Sequence, residues 1–169
     1  MRATSVRFPE SRGKHDHQRC INRAMRNAER ICEEQQLQLT PIRRRVLELI
    51  LDRHAPIGAY DILAGLKKGE GALAPPTVYR ALEFLLAAGL IHRIDALNAY
   101  VACESPHASH VGQFLICRDC QRVMELDDDA ISQLVAKRAR AAGFTVEMDD
   151  IEIKGICDGC RARAKNKKD

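Results

Sequence analysis

Two Cys-x2-Cys pairs, Cys117/Cys120 and Cys157/Cys160, stand 36 residues apart, and any fold of the second half of the chain must accommodate them. Two such knuckles offer four thiolates, the number that closes a tetrahedral zinc site. The stretch between them has room for a helix and a strand, so a shared site would tie the end of the domain back to its first hairpin. Two other readings stand beside this one. A thiol–disulfide oxidoreductase wants one such pair at a helix N-terminus in a thioredoxin-like pattern, and that pattern is absent. Four unliganded core cysteines are the plainer alternative. A disulfide framework fits poorly. The segment MRATSVRFPESRGKHDHQRC has no apolar stretch of the secretory kind, and no run of about 18 apolar residues suggests a membrane span. The expected location is therefore cytoplasmic, where thiols stay reduced.

Ahead of the cysteines the pattern is mostly helical. Aromatic residues make up 4% of the chain and Trp is absent, which leaves Leu, Ile, Val and Ala to build the core. Residues 1–20 are polar and basic without periodicity and read as a flexible arm. From Ile21 to about Gln36, Ile21, Ala24, Met25, Ala28, Ile31 and Cys32 fall on one helical stripe. Thr40-Pro41 opens a second helix, with Thr as N-cap and Pro at the first helical position. Its stripe is Ile42, Val46, Leu49 and Ile50, and Arg43, Arg44 and Arg45 sit near its start. Pro56 and Gly58 break it. A short third helix follows from Ala59 to Leu66, with Ile62, Leu63 and Leu66 inward. Pro75-Pro76 starts a fourth, PTVYRALEFLLAAG, which Gly89 ends. Val78, Leu82 and Leu85 form its buried side. A hairpin then runs through LIHRI, a turn at Ala96-Leu97-Asn98, and Tyr100-Val101-Ala102. Three helices and a two-stranded wing are the winged helix-turn-helix arrangement, whose last helix enters the major groove of DNA.

The second half alternates differently. Gln113–Cys117 and Val123–Leu126 are short strands around the first Cys-x2-Cys turn. Asp127, Asp128 and Asp129 place acid at the start of a helix, where the dipole favours it. That helix runs to about Ala142 with Ile131, Leu134, Val135 and Arg138 at helical spacing, and Gly143 stops it. Residues 144–153 alternate like a strand, and a basic tail follows the second cysteine pair. The fold class expected is α+β: an N-terminal winged-helix domain over 21–102, a hinge over 103–110, and a small α/β domain over 111–169.

A second set of donors precedes and overlaps the first: His92, Cys103, His107, His110 and Glu125. These are ligand types for a divalent transition metal. Singly, each has an ordinary reading, as a satisfied wing histidine, a buried thiol or a surface loop residue. The charge is uneven. Residues 1–102 hold 16 Lys/Arg against 11 Asp/Glu, and residues 103–169 hold 11 against 12. A more basic first half suits a phosphate backbone, although a solvated surface explains it equally well. Neither a nucleophile–base–orienter set nor a Gly-rich phosphate loop stands out, so an enzyme is not expected.

Taken together, LTPIRRRVLELI, PPTVYRALEFLLAAGLIHRI, NAYVAC, FLICRDCQRVMEL and GICDGC resemble the ferric uptake regulator family, most of all its zinc uptake regulator branch. The resemblance spans about residues 22–160. It implies a homodimeric repressor that binds double-stranded operator DNA when metal is abundant, with residues 111–169 as the dimerisation domain. It implies zinc at two sites per subunit. Structural zinc falls on Cys117, Cys120, Cys157 and Cys160. Regulatory zinc falls on His92, Cys103, His110 and Glu125. The recognition residues fall on Tyr79 and Arg80, with Thr77 beside them and Arg43, Arg44 and Arg45 on the phosphates; a buried-side role for Tyr79 is the alternative. The iron-sensing branch carries a histidine three residues before the first Cys-x2-Cys, where this chain has Phe114. An iron- or manganese-sensing regulator is the nearest alternative, and a thiolate at Cys103 favours zinc over iron(II). A zinc-stabilised interaction module without DNA binding is the more distant one. His107 matches no implied ligand and reads as an exposed linker residue.

Overall fold

The computed structural model describes residues 16–53, 55–67, 74–104, 106, 111–126, 128–147 and 150–165. They form two compact units, one within Asp16–His110 and one within Val111–Asp169. His107, His110, Asp127, Met148 and most of the expected arm and tail lie outside the described residues.

In the first unit α1 spans His17–Glu34. It opens four residues before the expected start at Ile21, because Asp16 is the N-cap and its carboxylate accepts the Arg19 N–H at 3.1 Å. The stripe Ile21, Met25, Ala28, Ile31 and Cys32 is buried. Helix α2 spans Pro41–Arg53 and buries Val46, Leu47 and Ile50; Leu47 takes the inward position expected of Leu49. Helix α3 is Ala59–Lys67, buried at Ile62 and Leu66. Helix α4, Pro75–Ala87, buries Val78, Ala81, Leu82 and Leu85. It ends in a Schellman arrangement: the Gly89 N–H reaches the Leu86 carbonyl at 2.9 Å and the Leu90 N–H the Leu85 carbonyl at 3.0 Å. Gly89 sits at φ 66°, where a side chain would be strained. That cap turns the chain directly into the wing.

The wing pairs β1 (Ile91–Ile94) with β2 (Ala99–Ala102), antiparallel, in the register Ile91↔Ala102 to Ile94↔Ala99. A single 3₁₀ turn at Asp95–Leu97 and Asn98 at φ 46° make the connection; Asn tolerates that left-handed conformation through local hydrogen bonding. Ile57, which falls in the expected break after α2, adds a bridge to Tyr100, with hydrogen bonds of 3.0 and 2.9 Å. The core of this unit draws on all four helices and the wing.

In the second unit the sheet order is β4–β3–β5. Strands β3 (Gln113–Cys117) and β4 (Val123–Leu126) are antiparallel, and β5 (Ile151–Gly155) lies parallel to β3 on its other side. Strand β5 is later and shorter than the alternation over 144–153 suggests, because residues 144–147 make no ladder. Helix α5 is Asp129–Ala141, capped by Asp128, whose carboxylate accepts the Ala130 N–H at 2.9 Å. Buried Gln113 fixes its start, donating to the Asp128 carbonyl and to Ser132 Oγ, both at 2.8 Å. Beyond the second cysteine pair the expected tail is instead helix α6, Asp158–Lys165. Among the described residues, no helix is long and apolar enough to cross a membrane.

Gly112 leads into β3 under tight constraint. A Cβ there would lie 2.5 Å from Asp150 Oδ1 and 2.5 Å from the Phe114 ring, and Phe114 is fully buried. The Gly112 N–H also donates to Asp150 Oδ1 at 2.8 Å. Gly112→Ala is expected to lower the stability of this unit by about 1–3 kcal/mol, the usual cost of overpacking, in denaturant melts of the purified protein. An unchanged midpoint would show that Phe114 yields without cost.

Candidate metal centre and nucleic-acid interface

Parallel pairing of β3 with β5 brings the two cysteine pairs together, because both strands run out at the same end of the sheet. Cys117 closes β3, and Cys120 follows in the turn toward β4, where Gln121 takes φ 56°. Cys157 and Cys160 flank the start of α6, with the Cys157 carbonyl accepting the Cys160 and Arg161 N–H groups at 3.1 and 3.0 Å. All four Sγ atoms lie within 4.8 Å of one another, and Cys120 and Cys157 Sγ stand 3.8 Å apart. Zn–S bonds of about 2.3 Å in a tetrahedron require sulfurs about 3.8 Å apart. A disulfide needs about 2.05 Å, and all four are free thiols. The donor set therefore fits a soft tetrahedral cation.

The electrostatics favour thiolates at Cys117 and Cys120. Burial pushes the Cys117 thiol up, but N–H groups of Cys157, Cys120 and Asp119 outweigh it and bring the thiol down to about 6. Cys120 also titrates below its usual value: burial opposes this, and Arg122 overcomes it. Cys160 goes the other way. Arg163 pulls it down, yet burial and the three neighbouring sulfurs raise it to about 11, as expected when four acids share one small space. The guanidinium groups of Arg122 and Arg163 are in turn held above their usual range, chiefly by hydrogen bonds to Cys120 and Cys160 respectively. Neither arginine stands out in the sequence; Arg122 lies two residues past Cys120 and Arg163 three past Cys160, close enough to fold back on the sulfurs.

Among the second donor set, His92 lies on β1 and Cys103 just beyond β2 in the first unit; both are buried, with ligand atoms within 4.8 Å of each other. The Cys103 N–H donates to the Leu90 carbonyl at 3.1 Å, which fixes the residue beside the wing. Glu125 is on β4 of the second unit and half-buried. His110 lies outside the described residues. Cys32 is a core thiol of α1, pushed up by burial against the field of Arg43.

On α4, Tyr79 and Arg80 are exposed and Thr77 is half-buried, while Val78 between them faces the core. Tyr79 is 45% exposed, which disposes of a buried-side role. The three arginines of α2 all have internal partners. Arg43 lies 3.6 Å over the Phe84 ring and donates to the Gln38 carbonyl at 2.6 Å. Its guanidinium thus braces α2 against α4, with one of its five N–H donors engaged at the Gln38 carbonyl. Arg44 pairs with Glu29, and Arg45 with Glu48 at 3.1 Å. Tyr60, 81% exposed at the start of α3, is a further candidate for DNA contact that sequence reasoning passed over. Its signal was an aromatic side chain placed off the Ile62–Leu66 stripe.

Residues 34–154 match the ferric uptake regulator family. The zinc uptake regulation protein of Escherichia coli (strain K12) is 37% identical over 134 residues, 79% of this chain and 78% of that protein. The solved structure "Zinc Uptake Regulator Complexed With Zinc AND DNA" superposes with a TM-score of 0.80 at 34% identity, covering 86% of this chain and 97% of the other. "Crystal structure of holo XcZur" gives 0.77 at 42% identity, covering 83% and 99%. Four helices leading into a wing, a small sheet that gathers two Cys-x2-Cys pairs, and a match over most of the sequence agree with one another: this chain belongs to the ferric uptake regulator family.

Proposed function

We propose that this chain is a zinc-responsive transcriptional repressor that binds operator DNA as a metal-loaded homodimer and represses zinc-uptake genes. The observation that carries the reading is the likeness to a zinc uptake regulator solved with zinc and DNA, in a chain whose four cysteines already stand at zinc–thiolate spacing. Cys117, Cys120, Cys157 and Cys160 would hold structural zinc. His92, Cys103, His110 and Glu125 would hold the regulatory ion, and the thiol of Cys103 supports zinc rather than a harder metal as the signal. Zinc held by these residues would supply a cross-link between donors of the wing and donors of the proposed dimerisation domain, across the proposed hinge at 103–110. Ligands that come together only in the DNA-competent arrangement make DNA and metal tighten each other.

The chain's own residues then do the reading. Arg80 is proposed to read a guanine edge, with Tyr79 and Thr77 beside it and Tyr60 alongside. Arg44 and Arg45 are proposed to position the domain on phosphates, exchanging surface ion pairs worth about 0–1 kcal/mol each. Arg43, which braces α2 on α4, is proposed to offer its remaining N–H groups to a phosphate as well. Dimerisation fits the second unit, where Leu134, Val135, Phe144, Val146, Ile153 and Ile156 are all exposed. That many large apolar side chains on one small unit mark an interaction surface.

The test is fluorescence anisotropy on operator and scrambled duplexes across salt, with zinc in excess and with chelator. Zinc should tighten operator binding. Arg80→Ala should cost roughly 1–3 kcal/mol per half-site and relax sequence preference. Arg44→Ala should weaken both duplexes alike and flatten the salt slope by about one unit for each phosphate it no longer neutralises. Binding indifferent to zinc refutes the regulatory reading, and equal losses on both duplexes refute Arg80 as a base reader.

A further inference from the structure

Four thiolates around one divalent cation carry two excess negative charges, and here they sit where Cys117, Cys157 and Cys160 are nearly inaccessible to water. Buried charge of that size needs compensation by neighbouring donors or cations. The structure supplies it one sulfur at a time. The Cys157 N–H points at Cys117 Sγ at 3.4 Å. Arg122, in the turn before β4, forks across both knuckles, with Nε 3.3 Å from Cys120 Sγ and a terminal nitrogen 3.6 Å from Cys157 Sγ. Arg163, on α6, donates to Cys160 Sγ at 3.0 Å. Each of the four sulfurs thus has an N–H donor, and the two guanidinium charges equal the excess on the metal-loaded site.

We propose that Arg122 and Arg163 are a guanidinium clamp that neutralises the four-thiolate zinc site and slows loss of its metal. The proposal rests on reading these cysteines as the structural zinc site. The physical basis is that N–H···S bonds draw electron density from the thiolates and lower their attraction for protons and electrophiles, the routes by which a Zn–S bond is broken. Arg122 also links the knuckle after β3 to the knuckle at α6, so one side chain opposes the splaying apart of the two pairs. A lysine in its place would keep the charge but lack the planar fork that spans two sulfurs.

The experiment uses full-length, zinc-loaded protein and excess EDTA, following release of the slowly exchanging metal. Arg122→Ala with Arg163→Ala should release it about 10–100-fold faster than wild type, the usual scale for loss of an outer partner at a metal site. Arg122→Lys should fall between. In the cobalt(II)-substituted protein the sulfur-to-metal charge-transfer band should move to longer wavelength in the double variant, because thiolates without donors are easier to oxidise. Wild-type release with an unmoved band in the double variant overturns the clamp. If that variant does not fold, Arg122→Lys and Arg163→Ala carry the test, and wild-type behaviour in both overturns it equally. Cys157→Ser separates the clamp from the site it serves: full retention of slowly exchanging zinc there would show that the four cysteines are not the site, whatever the arginines do.

Discussion

Cys157→Ser is expected to cost the protein one zinc per chain and the folded state of its second unit, whereas Cys103→Ser leaves the fold intact. The difference comes from what each sulfur holds. Cys157 belongs to the set that joins β3, the following turn and α6. Thiolate-bound structural zinc contributes about 10–16 kcal/mol of binding energy in small zinc-folded domains, on the scale of the whole stability of a domain. Cys103 is anchored by its own backbone to Leu90, in a unit whose core draws on four helices. Its loss should weaken zinc-dependent DNA binding alone. Mild chelation of the wild type should therefore remove metal in two steps, the first silent in circular dichroism and the second accompanied by loss of structure. Release of all metal in one unfolding step, or equal thermal destabilisation by the two serine variants, would end the division into structural and regulatory sites.

Leu134→Asp is expected to turn the proposed dimer into a monomer. Leu134 is 55% exposed on α5, a helix with no buried residue, beside Val135 at 42%. Burying an unpaired carboxylate in an apolar interface costs on the order of 3 kcal/mol or more, and so weakens association roughly a hundredfold or more. Sedimentation equilibrium at micromolar concentration would read the mass. Operator affinity should fall with it, since two half-sites would then be bound independently. Zinc content and circular dichroism guard against simple misfolding. A full dimer mass for a folded Leu134→Asp protein would remove α5 from the interface.

The face of α5 was legible in the sequence as Ile131, Leu134, Val135 and Arg138 at helical spacing, but what covers its apolar part was not. Periodicity marks a face without saying whether the same chain or another buries it. The helices of the first unit were legible because Pro41, Pro75 and Gly89 punctuate them. Helix α1 began early because a single Asp16 cap outweighed an apolar stripe that starts only at Ile21. Helix α6 was missed for the opposite reason: it has no large apolar side chain to mark a stripe, and what places it is the turn at Cys157. The four cysteines were legible as a set from spacing, whereas Arg122 and Arg163 were not, since nothing in a sequence marks which of many arginines folds back onto a sulfur. The stacking of Arg43 on Phe84 was not legible either, since that ring lies on another helix.

The parallel pairing of β3 with β5 has a consequence for how the protein is made. Parallel neighbours cannot be joined by a tight turn, so β5 reaches its place only after β4 and α5 have been synthesised. The first unit, built from contacts among successive helices, folds while translation continues. The second cannot gather its four cysteines until the ribosome has delivered Cys160, and on the proposed zinc reading its completion would then depend on metal supply. If the four cysteines hold zinc as proposed, the fraction of new chains that mature would follow the zinc present at the moment of synthesis, a check on cellular supply that operates before any operator is bound.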